Sequence, residues 1–391
     1  MMDLPAALEP VEPLTAPAIS APAPREIAFG EVRGRVGAGT TRIVVTVNGT
    51  RRAESAVLET SFRIAVPLPP RDSTIRVIAF DMFGRRAISR PVGPVFGLPA
   101  AASPRGTRSI EDPVLSRVVR RLTREFPGIS AFYVQNLRTG EGAAWNARAR
   151  FPAASTLKLA IAVEVLRTLR GRVVPGSRVD GLLRRMLIYS DNQAANDLEV
   201  WLGGSISAGA ARVNSTMRAL GLRDSHIFGG YAAATGGTRP IPVTVESQPA
   251  FGLGKYTTAC DLARLHRFVH LAAGGRGRLL RLTGSFTPAD ARFALFILAR
   301  VRDPGKLDRF LRRPAAVVLH KAGWITYARH DAGLVYWKGG GFAAAVLTWN
   351  SAGVGTASDV LAGRVARASL RRFSSTAVSG ARTTAARLFA S

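Results

Sequence analysis

Three short clusters carry the side chains with which this chain could do covalent chemistry: Ser155-Thr156-Leu157-Lys158, Ser190-Asp191-Asn192 and His320-Lys321-Ala322-Gly323-Trp324. Pro152 and the small residues Ala153 and Ala154 precede the first cluster, and an apolar run follows it. Ser155 is therefore expected in the first turn of a helix. There its backbone N–H points forward and the helix dipole favours negative charge, so the same turn can help hold an oxyanion. Lys158 comes three residues later, about one turn on, so both side chains share a face. Leu157, Leu159, Ile161, Val163, Val165 and Leu166 lie on all sides of this helix, the mark of a buried one. Burial penalises the ammonium, lowers its pKa and brings a neutral amine within reach. A neutral amine beside a hydroxyl is a general base beside a nucleophile. Taken alone, the spacing is common by chance and reads rather as a lysine that snorkels outward.

Ser190-Asp191-Asn192 follows LLRRMLIY and offers a hydroxyl, a carboxylate and an amide in one tight turn between two apolar helices. By itself it reads as a helix N-cap, with Asp191 or Ser190 capping. Lys321 stands on a predicted strand, where the following Ala322 and Gly323 let the strand edge approach a ligand closely. The plain alternative is an edge-strand lysine that blocks aggregation.

Together and in this order the three clusters resemble the Ser-x-x-Lys, Ser-Asp-Asn and Lys-Thr-Gly set of class A β-lactamases and penicillin-binding proteins. The resemblance spans residues 109 to 373. It implies that Ser155 attacks a lactam or peptide carbonyl, Lys158 takes its proton and Ser190 relays a proton to the leaving nitrogen. It further implies that Asn192 binds the substrate's amide side chain, and that Lys321 sets the local positive potential and helps hold the substrate carboxylate. The backbone N–H groups of Ser155 and Trp324, the latter just after Gly323, would form the oxyanion hole. Three departures stand out. Ala322 replaces the threonine of the third motif, with Thr326 or Arg329 as candidate substitutes. The 35-residue gap from Ser155 to Ser190 is shorter than in typical class A enzymes. No Glu-x-x-Leu-Asn motif lies between Asn192 and TTACDLARL; Glu246, in TVESQPAFGLGKYTT, is the only carboxylate near the expected place, though its spacing is off. Without such a base, turnover of a β-lactam acyl-enzyme is expected to be slow.

The elements that must position these clusters begin at Asp112-Pro113, a cap residue followed by proline at the first turn. Strands are predicted at SAFYVQNL and GAAWNARAR. Next come the Ser155 helix and further helices at 180–189, 192–202, 208–220 and 257–273. Strands return at VVLHKAGW, DAGLVYWK and AAAVLTWN, and a closing helix ends at Phe373. A five-stranded antiparallel sheet with helices on both faces accounts for this order, an α+β domain of the β-lactamase/transpeptidase-like fold over 112–373. Ahead of it, residues 26–98 alternate as short strands, among them RIVVTV before Asn48-Gly49, a strong hairpin signal. This predicts a small all-β sandwich, similar to the immunoglobulin-like modules of bacterial surface proteins, with a spacer or stabilising role. Residues 1–25 hold six prolines and are expected to be a disordered leader, 99–111 a linker and 374–391 a flexible tail.

The chain has 391 residues, enough for two domains, with 47% apolar and 20% charged residues, a globular profile. It carries 54 basic against 26 acidic residues, a net charge of +28. That field favours anionic partners such as acidic wall polymers. No basic run interleaves with aromatics and no nucleic-acid-binding signature is seen, so no specific nucleic-acid partner is expected. One cysteine, Cys260, excludes an internal disulfide and a cysteine-based metal site. His266 and His270 sit at i and i+4 but lack the zinc-protease glutamate after the first histidine, so they are read as helix-surface histidines; no metal or cofactor is expected. There is no run apolar enough for a transmembrane helix and no signal peptide as written. An extracytoplasmic setting is expected from the resemblance and the β module. The leading expectation is acyl-enzyme hydrolysis of β-lactam amide bonds. A D-alanyl-type peptidase or other wall amide hydrolase comes second, and a weakly active wall-binding module third.

Overall fold

The structure is a computed structural model of the full chain and describes residues 13–169, 171–232, 241, 247–252 and 254–388. It divides into two units, Met1–Leu98 and Pro99–Ser391.

The first unit is all-β. Its strands are β1 (Ala18–Ala21), β2 (Glu26–Ala28), β3 (Glu31–Arg35), β4 (Arg42–Val47), β5 (Thr50–Ala56), β6 (Ser61–Ala65), β7 (Asp72–Phe80), β8 (Arg86–Ile88) and β9 (Val92–Gly97). They form one sheet in the order β1-β3-β6 and a second in the order β2-β9-β7-β4-β5, with β8 on β7. Alternating apolar residues of both sheets, Val32 and Ile64 from one and Ile43, Val45, Ile75 and Val77 from the other, fill a shared core. Asn48 and Gly49 both adopt positive φ (50° and 80°), the conformation a two-residue hairpin turn between right-twisted strands requires. The expected leader is shorter than predicted. Ala18–Ala21 pair with β3, and Leu14 and Ile19 pack on the core, because these apolar side chains find an open sheet edge.

The second unit contains a six-stranded sheet flanked by helices. In chain order come β10 (Ile110–Glu111), α1 (Pro113–Arg124), β11 (Ile129–Asn136), β12 (Glu141–Trp145) and β13 (Phe151–Pro152). A 3-10 turn (Ala154–Leu157) leads into α2 (Lys158–Thr168), followed by α3 (Arg178–Ile188), α4 (Asn192–Gly203), α5 (Ile206–Ala219), β14 (Tyr256–Thr257), α6 (Ala259–Ala273) and α7 (Pro288–Leu298). The three long strands β15 (Ala316–Ile325), β16 (Ala328–Trp337) and β17 (Gly340–Trp349) and the helix α8 (Thr356–Leu388) close the chain. The sheet order is β10-β12-β11-β17-β16-β15. Five strands are antiparallel neighbours as the sequence predicts; β10 adds a short parallel edge inside the expected linker.

Leu115 and Val119 of α1, and Val365 and Phe373 of α8, pack on one sheet face against Val134, Phe342 and Val346. The alternate residues Ala343, Ala345 and Leu347 are equally buried and point to the other face, where α6 lies. Both faces being covered explains why these strands read as apolar runs rather than alternations. Three expectations are corrected. The closing helix passes Phe373 and continues to Leu388 through a stretch without proline. Helix α7 was not foreseen, although Thr287 and Asp290 form a reciprocal capping box with Pro288 in the first turn. His266 and His270 are fully buried in α6 rather than on its surface, because α6 is enclosed between the sheet and α7.

Candidate active site

The site is built where the 3-10 turn and α2 meet α4 and β15. His330 of β16 fixes the approach to the turn. Its Nε2–H donates to the Pro152 carbonyl (2.7 Å) while Nδ1 accepts from the Thr348 N–H (3.2 Å). Burial pushes this imidazole down to about 4, so it is neutral and the tautomer follows from its partners. Ala154 then adopts φ +46°, the Thr156 hydroxyl donates back to the Ala153 carbonyl (2.6 Å), and Ser155 emerges half-buried. Gly323 of β15 is required here. A Cβ on it would lie 2.5 Å from the Ser155 nitrogen and 2.9 Å from that of Thr156. The strand therefore runs against the backbone of the turn that carries Ser155, with Trp324 next along it, 62% exposed.

Every residue of α2 from Lys158 to Leu166 is buried. The Lys158 ammonium does not reach bulk water. It donates to the Ser190 carbonyl (2.6 Å) and to Asn192 Oδ1 (2.7 Å), and lies 3.5 Å from Ser190 Oγ. Burial, with the nearby Lys321 charge second, lowers its pKa to about 7. Lys321, also fully buried, donates to Ser190 Oγ (2.9 Å) and to the Ala322 carbonyl (2.8 Å), and burial lowers it to about 8. Ser190 has φ +59°, which turns its carbonyl toward Lys158 while its hydroxyl meets Lys321. Asp191 is the N-cap of α4. It accepts from the Ala194 N–H (2.9 Å) and pairs with Arg185 (2.6 Å). Burial opposes its charge, but these hydrogen bonds outweigh it and hold the carboxyl below the usual range.

The three motifs thus converge, with one correction. The sequence predicts that Lys158, Ser190 and Lys321 converge on the Ser155 hydroxyl within hydrogen-bond reach or one water; in direct contact, both amines meet at Ser190. Among the described residues no hydrogen bond reaches Ser155 Oγ. Of the other candidates, Asn192 is exposed at the α4 start and engaged with Lys158. Thr326 lies exposed in the β15–β16 turn, its carbonyl accepting from Val354 N–H (3.0 Å). Arg329 is removed as a carboxylate ligand: its guanidinium makes two hydrogen bonds to Asp359 (2.7 and 2.8 Å). Glu246 lies outside the described residues.

Sequence reasoning missed Glu199, Tyr231 and Lys255. Glu199 is fully buried on α4, and among the described residues neither carboxyl oxygen has a hydrogen-bond partner. Lys158 and Lys255 place their ammonium nitrogens 4.9 and 4.8 Å from the centre of the Tyr231 ring. Asn196 Oδ1 ties the segment carrying Tyr231 to α4 through the Tyr231 N–H (2.7 Å). The available signal was spacing. Glu199 follows Asn192 by seven residues, two turns, and falls in the stripe Ala194, Ala195, Leu198 and Leu202 that α4 buries.

Sheet, helix order and paired lysines define a protein with the serine β-lactamase-like fold. The family model for the beta-lactamase enzyme family matches residues 114–180 and 171–373, and the chain belongs to that family. Similar solved structures include PBP-A, at 22% identity over 68% of this chain and 98% of that one with a TM-score of 0.52. A beta-lactamase from Sphaerobacter thermophilus shares 22% identity (66% and 96% covered, TM-score 0.50), and one from Streptomyces albus G shares 20% (66% and 98% covered, TM-score 0.51). A search of curated proteins returns no match.

Proposed function

We propose that the second unit is a serine hydrolase that forms an acyl-enzyme at Ser155 and acts on the amide bond of β-lactams. Ser155 Oγ bonds to the carbonyl carbon as its proton passes to the Lys158 amine. The C–N bond then breaks, with the proton delivered to the leaving nitrogen through Ser190. Water afterwards hydrolyses the ester and restores the serine. The N–H groups of Ser155 and Trp324 are the donors assigned to the developing oxyanion, and the contact of Gly323 with the Ser155 backbone supports that pairing. The observation that carries the reading is a fully buried Lys158, one turn from Ser155, with its amine beside the hydroxyl of Ser190. A PBP-A mutant crystallised as an acyl-enzyme with penicillin G is among the structures of the same fold.

A wall-peptide amidase of the D-alanyl type is the second reading. It is favoured by the sequence, which has no Glu-x-x-Leu-Asn motif between Asn192 and TTACDLARL. An extracytoplasmic setting, with the +28 charge drawing the protein to acidic wall polymers, fits both. Incubation with a fluorescent penicillin separates the outcomes. Rapid turnover dependent on Ser155 supports the lactamase, and a stable label lost in Ser155→Ala supports the peptidase. No label in the folded protein overturns both and leaves a wall-binding module.

A further inference from the structure

Near the reaction centre sits a carboxyl that the proposed chemistry does not use. Glu199 is fully buried on α4, and among the described residues no hydrogen bond compensates either oxygen. An uncompensated buried carboxylate is costly, whereas the protonated group is far less so. The charged groups around it are Lys158 from α2 and Lys255 from the segment before β14, both set over the ring of Tyr231, whose hydroxyl has no hydrogen bond among the described residues. Lys158 is faced in addition by Lys321 from β15 and by Asp191 from the α4 start, already held by Arg185 and the Ala194 N–H. Lys255 is anchored on the Gly230 carbonyl (2.5 Å).

The hydrogen bonds of Lys158 fit an uncharged amine. It has two short acceptors, the Ser190 carbonyl and Asn192 Oδ1, enough for two N–H bonds. Its third contact, Ser190 Oγ, is 3.5 Å away and already accepts from Lys321, leaving that hydroxyl's proton free to point at a lone pair.

We propose that Glu199 is a positioning residue for the reaction at Ser155: its carboxyl holds the proton that the Lys158–Glu199 pair shares, and so leaves the Lys158 amine free to act as the base. The proposal rests on the reading of Lys158 as that base. Burial raises Glu199 to about 8 while it lowers Lys158 to about 7, the order this assignment needs. Because the two groups are coupled, the titration belongs to the pair.

Two measurements on the full chain test it. In pH-difference infrared spectra, a protonated-carboxyl band titrates with a midpoint near 8 and is missing from Glu199→Gln. In stopped-flow acylation by a fluorescent penicillin, the wild type rises through pH 7 as Lys158 loses its proton. It rises again above pH 8, where ionised Glu199 favours proton transfer to the amine. Glu199→Gln keeps the first rise at the same pH and lacks the second. The proposal is overturned if the first rise of Glu199→Gln moves down by a pH unit or more, because Glu199 was then a carboxylate paired with an ammonium. It is overturned equally if both rises persist, or if no carboxyl band titrates above pH 7. The infrared experiment needs no substrate and the wild-type band needs no folded variant. Failure of the Ser155 reading, seen as absence of labelling, is therefore distinct from failure of this one.

Discussion

Replacing Gly323 with alanine tests whether the contact of β15 with the Ser155 turn governs the proposed reactivity. The new Cβ would stand 2.5 Å from the Ser155 nitrogen, 2.9 Å from the Thr156 nitrogen and 3.1 Å from the Ala154 Cβ. Ordinary contact begins at roughly 3.5 Å, so about 1 Å must be recovered. Two of the three atoms are backbone, so no flexible side chain can absorb the shift. Either β15 withdraws or the 3-10 turn rotates, and the Ser155 N–H and hydroxyl move by about 1 Å relative to Lys158 and Ser190. A misplacement of that size costs on the order of a hundredfold in rate. Overpacking also destabilises, by about 1–3 kcal/mol. The assay is the second-order rate constant for labelling by a fluorescent penicillin, with thermal unfolding run in parallel. Gly355→Ala is the control, because a Cβ there meets nothing within 4 Å. We expect about a hundredfold slower labelling for Gly323→Ala with the protein still folded, and no change for the control. Labelling of Gly323→Ala within threefold of wild type would refute the reasoning.

Three further outcomes are expected. Ser190→Ala removes the hydroxyl that Lys321 bonds and that lies beside Lys158, and should slow acylation by about 10²–10⁴-fold in the same labelling assay; a change under tenfold would remove Ser190 from the proton path. His266→Leu should be no less stable than wild type at pH 7, because among the described residues neither buried ring nitrogen has a hydrogen-bond partner. Burial holds His266 and His270 at about 3, below their unfolded value, so the unfolded chain binds more protons and stability falls as pH drops below about 6.5, by up to ~1.4 kcal/mol per unit for each histidine. Urea unfolding at pH 7 and pH 5 should therefore show a smaller acid loss in His266→Leu; an equal loss contradicts the assignment. Arg329→Ala should lose about 1 kcal/mol with its Asp359 pair while leaving penicillin labelling within threefold, and a selective loss of labelling would return Arg329 to the site.

Much of this was legible because local chemistry repeats in the sequence. The apolar residues around Lys158 marked a buried helix, and Lys158 is fully buried within it. Asn48-Gly49 announced a hairpin through its need for positive φ, and both residues have it. The meeting of both amines at Ser190 was not legible, since it depends on one residue's φ and on carbonyl directions that residue types do not encode. The pairing of Arg329 with Asp359 spans 30 positions and joins a strand to a helix, a relation no local pattern carries. His266 and His270 were misread because their helix looked half polar, while its partners on both sides came from distant segments.

Ala154 and Ser190 flank the reaction centre from different segments, and each is held at a left-handed φ that side-chain-bearing residues avoid at a cost of roughly 1–2 kcal/mol. Glycine would relieve either position, yet it would free the hinge on which Ser155 or the acceptor of the Lys158 amine is aimed. For the proposed reaction, selection for a sturdier protein and selection for a faster one therefore pull in opposite directions at these two residues, and a gain in melting temperature there would come with slower acylation.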